Sequence, residues 1–305
     1  MDWRAEIVTA CARIAPHVRR TPTVTLDCAA LGRPVALKLE QMQLTGSFKA
    51  RGAFNTLLSQ PVPEAGLVAA SGGNHGAAVA HAAARLGHPA RIFVPEIAGP
   101  AKIALIERQG AALSVVPGAY SEALAAARAY EAQTGAMQIH AYDAPATVAG
   151  QGTCIAEWEA QGLAADTLLI AVGGGGLIAG ALAWLQGRRR VVAVEPERAP
   201  TLHAALAAGH PVDVEVSGVA ANALGARRIG EICFALCGAH LGASVLVPED
   251  AILAAQALLW RELRQLVEPA GATALAALVA GAYVPAPDER VAVLVCGANV
   301  APDPL

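Results

Sequence analysis

Charge is scarce in this chain. Asp, Glu, Lys and Arg make up 15% of the 305 residues, hydrophobic residues make up 55%, and the net charge is -3. So apolar a composition argues against disorder. No basic run extends beyond Arg188-Arg189-Arg190, which argues against nucleic acid as a partner. The opening stretch Met1-Asp2-Trp3-Arg4-Ala5-Glu6 is charged and has no apolar core, so no secretory signal is expected and a cytoplasmic protein is. The six cysteines (Cys11, Cys28, Cys154, Cys233, Cys237, Cys296) contain no C-x-x-C pair. Without secretory context they read as thiols rather than disulfides. Cys233 and Cys237 lie one helical turn apart, but no second ligand pair joins them, and the eight histidines show no zinc spacing. No metal site is expected. One uncharged run, Leu168 to Leu185, reaches roughly the length of a membrane span. Four glycines interrupt it, so it reads as strand, tight loop and buried helix, and no membrane partner is expected.

What the chain does have is alternation of apolar strands and amphipathic helices. Met1 to Arg20 reads as a helix stopped near Thr21-Pro22-Thr23, and Val35 to Glu40 as a strand. Pro61-Val62-Pro63-Glu64-Ala65-Gly66 is a turn-rich linker. Leu67–Ala70, Arg91–Pro95 and Ala112–Val116 read as strands, separated by helices ending near Leu86, Gln109 and Gln133. The pattern resumes with a helix over Thr153–Glu159, strands at Leu168–Val172, Val191–Glu195, Ser244–Val247 and Arg290–Val295, and helices between them. Asn222–Arg227 is irregular. Near-continuous apolar strands predict a parallel, helix-covered α/β sheet.

Four stretches could carry chemistry. Thr45-Gly46-Ser47-Phe48-Lys49-Ala50-Arg51-Gly52-Ala53 places one lysine among small and apolar residues, where desolvation favours the neutral amine that an aldehyde requires. Gly173-Gly174-Gly175-Gly176 joins a strand to a helix and can turn backbone N–H groups on a phosphate. The same loop also fits a dinucleotide fingerprint, Gly174-x-Gly176-x-x-Ala179, with Glu195 placed to hold a ribose; a nicotinamide oxidoreductase is the rival reading. Ser71-Gly72-Gly73-Asn74-His75 is a second strand–loop–helix junction that could hold a carboxylate, or be an ordinary helix cap by Ser71 or Asn74. Cys296-Gly297-Ala298-Asn299 closes the last strand.

Taken with Ala149-Gly150-Gln151-Gly152-Thr153, Val194-Glu195-Pro196 and Glu268-Pro269-Ala270-Gly271-Ala272, these segments resemble, in content and order, the fold type II pyridoxal-phosphate enzymes and, within them, the serine/threonine dehydratases. The resemblance implies a tryptophan synthase β-like fold with two open helix-covered sheet domains. Residues 1–60 and 141–305 would form the large cofactor-binding domain and 61–140 a small inserted one. Lys49, beside Phe48, would bond covalently to the aldehyde of pyridoxal 5'-phosphate and serve as the catalytic base. Gly173, Gly174, Gly175, Gly176 and Leu177 would hold the phosphate and Asn74 the ring hydroxyl. Cys296 would face the pyridine nitrogen, with Glu268 near the ring. Ser71, Gly72, Gly73, Asn74 and His75 would take the substrate carboxylate.

The implied reaction is loss of water from a β-hydroxy amino acid, threonine or serine, giving a 2-oxo acid and ammonia, in a homodimer. A racemase on the same scaffold is the alternative. Racemases of this resemblance carry a serine where this chain has Gly72, which disfavours that activity. Thr201 stands where relatives have an acidic cation ligand, and the chain stops at Leu305, so neither a cation site nor isoleucine feedback is expected.

Overall fold

The computed structural model describes residues 1–118 and 120–300. Two sheets carry the architecture. The larger contains β1 (Thr23–Leu26), β2 (Val35–Leu39), β7 (Thr167–Ala171), β8 (Arg190–Pro196), β9 (Ala243–Val247) and β10 (Val291–Val295), in the order β1-β2-β10-β7-β8-β9. Only the β1–β2 pair is antiparallel. The smaller sheet is parallel, in the order β5-β4-β3-β6, from β3 (Leu67–Ala70), β4 (Ala90–Pro95), β5 (Ala112–Val116) and β6 (Met137–Gln138).

Every residue of β7 and β10 is buried, as expected of central parallel strands whose faces are both covered by helices. The helices are α1 (Trp3–Ile14), α2 (Lys49–Ser59), α3 (Asn74–Leu86), α4 (Pro100–Glu107), α5 (Tyr120–Thr134), α6 (Pro145–Ala160), α7 (Gly176–Leu185), α8 (Thr201–Ala208), the single turn α9 (Ala221–Leu224), α10 (Glu231–His240), α11 (Glu249–Leu263) and α12 (Pro269–Val279). The run Leu168 to Leu185 resolves into β7, the glycine turn and α7. No helix among the described residues is long and apolar enough to cross a membrane.

Topology places the chemistry-bearing segments. Ser71 follows the carboxyl end of β3, Gly173 that of β7, and Cys296 that of β10, while the Lys49 segment follows β2. In open α/β sheets this is the edge at which ligands gather. Helix α2 joins the two sheets: Ala50, Ala53, Phe54 and Leu57 share a hydrophobic cluster with Leu67, Ala69 and Ile92 of the smaller sheet.

The structure departs from the sequence expectation at several elements, including strands β1 and β6, which were not expected. α1 ends at Ile14 rather than near Arg20, because Pro16 cannot continue a helix interior. α6 starts at Pro145, eight residues before Thr153, and takes in Gly150 and Gly152. α10 was not foreseen. Its first amides, Glu231 and Ile232, donate to the Asp143 carboxylate at 3.1 and 3.0 Å, so its cap comes from a distant part of the chain.

Candidate active site

Lys49 opens α2. Its Nζ donates to the Ala141 carbonyl at 2.7 Å and lies 5.1 Å from the centre of the Phe48 ring. Burial lowers its pKa to about 8, an effect partly offset by Cys296. The loop before it is pinned to the strand-end segment after β10. The Phe48 amide donates to the Cys296 carbonyl at 3.2 Å and the Ala298 amide to the Gly46 carbonyl at 2.9 Å. Cys296 is buried, its Sγ donates to the Ala270 carbonyl at 3.4 Å, and burial with nearby Glu268 pushes its thiol up to about 12. It therefore presents an uncharged sulfur beside the amine.

Two sets of backbone amides are open among the described residues. Among the described residues, no acceptor takes the N–H groups of Gly173, Gly174, Gly175, Gly176 or Leu177. Side chains are excluded here by contact. A Cβ at Gly174 would lie 2.3 Å from the Tyr142 ring, one at Gly176 would lie 2.9 Å from Tyr142 Cα, and Gly175 has φ +93°. Tyr142 thus packs on the loop, next to the Ala141 carbonyl that holds Lys49.

The second set opens α3. Gly73 is its N-cap and supplies no side chain, so neither Ser71 nor Asn74 caps the helix. Ser71 Oγ instead accepts from the Gly73 amide at 3.2 Å. The amides of Asn74, His75 and Gly76 have no acceptor among the described residues. The His75 ring turns away. Its Nε2 lies 2.9 Å from the Ile139 carbonyl, which only accepts, so Nε2 carries the proton. Burial, then Lys49, push its pKa down to about 3, and the ring stays neutral.

A chain of side chains joins the two sheets. Asn74 Nδ2 donates to Glu268 Oε1 at 2.6 Å, and Asn299 Nδ2 donates to Asn74 Oδ1 and to the Thr45 carbonyl, both at 2.8 Å. Burial pushes Glu268 up to about 7 against the pull of Asn74 and Lys102.

A half-buried amine of depressed pKa, a glycine loop of free amides and a neutral thiol suit an aldehyde-bearing phosphate cofactor. Residues 14–297 match the family described as pyridoxal-phosphate dependent enzyme. The chain belongs to that family. A phenylserine dehydratase of Ralstonia pickettii is 37% identical over 295 residues, covering 94% of this chain and 90% of that one. The crystal structure of T.th. threonine deaminase superposes with a TM-score of 0.91 at 36% identity, covering 98% of this chain and 99% of the other. Maize serine racemase superposes with a TM-score of 0.92 at 30% identity, covering 97% and 93%. The chain is a pyridoxal-phosphate enzyme of the dehydratase and ammonia-lyase family, with the fold type II architecture.

Membership overturns the nicotinamide reading, and the geometry gives a physical reason. The buried Glu195 carboxylate accepts from the Leu202 and His203 amides of α8 at 2.7 and 2.8 Å. Its oxygens cap a helix rather than wait for a ribose. Thr201 beside it donates Oγ1 to the Ala226 carbonyl at 2.7 Å. Among the described residues no group of three or more His, Cys, Asp or Glu is placed to hold a metal. Cys233 and Cys237 are buried with sulfurs 3.9 Å apart, and Cys233 Sγ lies under Gly175.

The glycine segment at residues 149–153 turns out to be a helix crossing. A Cβ at Gly150 would lie 2.7 Å from the Arg51 carbonyl and from Gly52 Cα; one at Gly180 would lie 2.4 Å from the Gly152 amide nitrogen. So α6 is wedged between α2, which carries the lysine of this pyridoxal-phosphate enzyme, and α7, which carries its glycine loop. A charge-balanced buried group backs this crossing. Arg51 donates to Glu40 at 2.6 and 3.0 Å and to Glu157 at 3.0 Å, and Lys38 donates to Glu157 at 2.6 Å.

Sequence reasoning gave no role to Tyr142, the Ala141 carbonyl or the Arg51 group, since each acts through contacts distant in the chain. Asn299 closes the motif Cys296-Gly297-Ala298-Asn299, which by itself assigns it no role. One signal was available. The sequence contains just three lysines, Lys38, Lys49 and Lys102. Lys38 is buried in ion pairs, and Lys102 donates to the Asn222 carbonyl at 3.3 Å.

Proposed function

We propose that the chain is an L-threonine/L-serine dehydratase that removes water from a β-hydroxy amino acid and releases a 2-oxo acid and ammonia. The observation that carries this is the convergence of Lys49, two open amide sets and the neutral Cys296 thiol at one edge of the sheets.

In this reading Lys49 Nζ would bond to the cofactor aldehyde, the amides of Gly173–Leu177 would hold its phosphate, Asn74 would meet the ring hydroxyl and Cys296 the ring nitrogen. The cofactor, when bound, supplies the electron sink for bond breaking at the α-carbon. The α3 amides at the Ser71–His75 loop hold the substrate carboxylate against the positive end of the helix. Lys49 Nζ, released from the aldehyde when the substrate amine takes its place and neutral above about pH 8, would accept the α-proton. The β-hydroxyl would leave as water, with a proton matching the one taken from the α-carbon, and hydrolysis of the remaining enamine would give the oxo acid and ammonia with no net oxidation. The Cys296 thiol places no negative charge at the ring nitrogen, which suits prompt elimination.

Gly72 opposes racemisation. A Cβ there would lie 2.5 Å from Ala98 Cβ, so an acid–base side chain at this position would have to displace Ala98.

The same reading takes 61–140 as a unit inserted between 1–60 and 141–305, supported by the confinement of the smaller sheet to residues 67–138. It also takes the enzyme as a cytoplasmic homodimer, supported by six free cysteines and by the exposure of Leu253 and Trp260 on α11.

The test is a panel of threonine, serine, 3-hydroxyaspartate and phenylserine, with 2-oxo acid and D-isomer measured side by side. Oxo acid from L-threonine or L-serine is expected. D-isomer formation outpacing oxo acid, or turnover restricted to phenylserine, would contradict the reading.

A further inference from the structure

We propose that Asn299 is a positioning residue that locks the Asn74 amide, so that Asn74 turns its N–H groups, and not its oxygen, toward Glu268 and the cofactor. This rests on the reading above that Asn74 meets the cofactor.

The orientation follows from one fixed point. The Thr45 carbonyl can only accept, and it lies 2.8 Å from Asn299 Nδ2. One hydrogen of that nitrogen is therefore committed to Thr45. The other points at Asn74, 2.8 Å away, which must answer with its oxygen. Asn74 Nδ2 then faces Glu268 Oε1 at 2.6 Å and keeps one N–H to spare.

The anchor is rigid. Thr45 holds φ +61° and Gly46 φ +75°, and a Cβ at Gly46 would lie 2.5 Å from Asn299 Oδ1. A threonine in the left-handed region persists only where its surroundings over-determine it.

A lock is needed because Glu268 can change sides. As a carboxylate it only accepts and holds Asn74 Nδ2 by itself. As a carboxylic acid it can donate to Asn74 Oδ1, and a flipped amide would then be equally well bonded to it. The groups facing Glu268 are Asn74 from α3, Lys102 from α4 and Cys296 after β10, with Lys49 beyond Cys296. Burial holds its pKa near 7 against the pull of Asn74 and Lys102, so both forms exist near neutral pH. Asn299 makes the amide orientation independent of that proton.

The experiment titrates apoprotein with pyridoxal phosphate, reading bound cofactor by its visible absorption, at pH 6 and pH 8.5. The readout is the ratio of variant to wild-type dissociation constants, in which the titration of Lys49 cancels. Asn299→Ala should raise the constant about tenfold at pH 6, the loss expected for a buried hydrogen bond, and at most about threefold at pH 8.5. Adding Glu268→Gln to Asn299→Ala should abolish the difference between the two pH values. Equal ratios at both pH values would overturn the proposal. Asn74→Ala separates the two failures. If it leaves the constant and the spectrum unchanged, the cofactor role of Asn74 falls and the proposal with it. If it weakens binding while the Asn299→Ala ratio stays flat, the proposal alone falls. Should Asn299→Ala not fold, Asn299→Leu preserves the volume and is measured in the same way.

Discussion

Lys49 is half-buried, bonded to a carbonyl rather than paired with a carboxylate as Lys38 is, and lowered to about 8. In the apoprotein its amine should react with a lysine-directed reagent with a midpoint near pH 8. A midpoint near the ordinary ~10.4 would contradict the burial argument. Between those two values the unfolded chain binds the proton and the folded one does not, so the contribution of Lys49 to apoprotein stability rises with pH across that window. Glu268 works in the opposite sense. Its folded value near 7 lies above the ordinary ~4.3, so its stabilising proton is fully present below the lower value and lost as pH rises through the upper one. Urea unfolding of apo Glu268→Gln should show a shallower fall in stability between pH 5 and 7.5 than wild type. Glu195, also raised to about 7 by burial, keeps part of that slope in both proteins. The residue types at these sites were legible in the sequence, because a lysine among apolar residues, four glycines and a strand-end cysteine each imply a chemistry. The environments that set their protons were not, since Ala141, Tyr142 and Asn299 reach the site from other parts of the chain.

Helix crossing is the element-scale feature on which the site depends. Gly180 meets the Gly152 amide so closely that any side chain must push α6 and α7 apart. Gly180→Ala should destabilise the protein by about 1–3 kcal/mol through overpacking and should also raise the dissociation constant for pyridoxal phosphate, measured by equilibrium titration alongside thermal melts. A drop in melting temperature with unchanged cofactor affinity would show that the crossing does not position the loop. The buried ions behind it allow a second check. Glu40→Met alone leaves Arg51 and Lys38 sharing the Glu157 carboxylate, one positive charge in excess, and should cost about 3–5 kcal/mol, whereas Glu40→Met with Arg51→Met should cost much less than the two single changes together. The sequence showed most strands and most helices because their periodicity is local, but not the short β1 and β6. It hid the start of α6 and the whole of α10. Glycines within α6 read as breakers although they are contact points, and α10 draws its cap from Asp143, a residue far upstream.

At the scale of the molecule, the parallel strands of both sheets deliver Ser71, Gly173 and Cys296 to one edge, and α2 brings the lysine between them. This convergence was foreseeable from strand–helix alternation, because loops after parallel strands share an edge. The substrate side chain was not, because no motif records the pocket wall. Borohydride reduction of the holoenzyme followed by peptide mapping tests the central claim most directly, and with three lysines in the chain the result is unambiguous. A single pyridoxyl adduct on the peptide containing Lys49 is predicted. An adduct on Lys38 or Lys102, or none on any lysine of a coloured protein, would contradict the account.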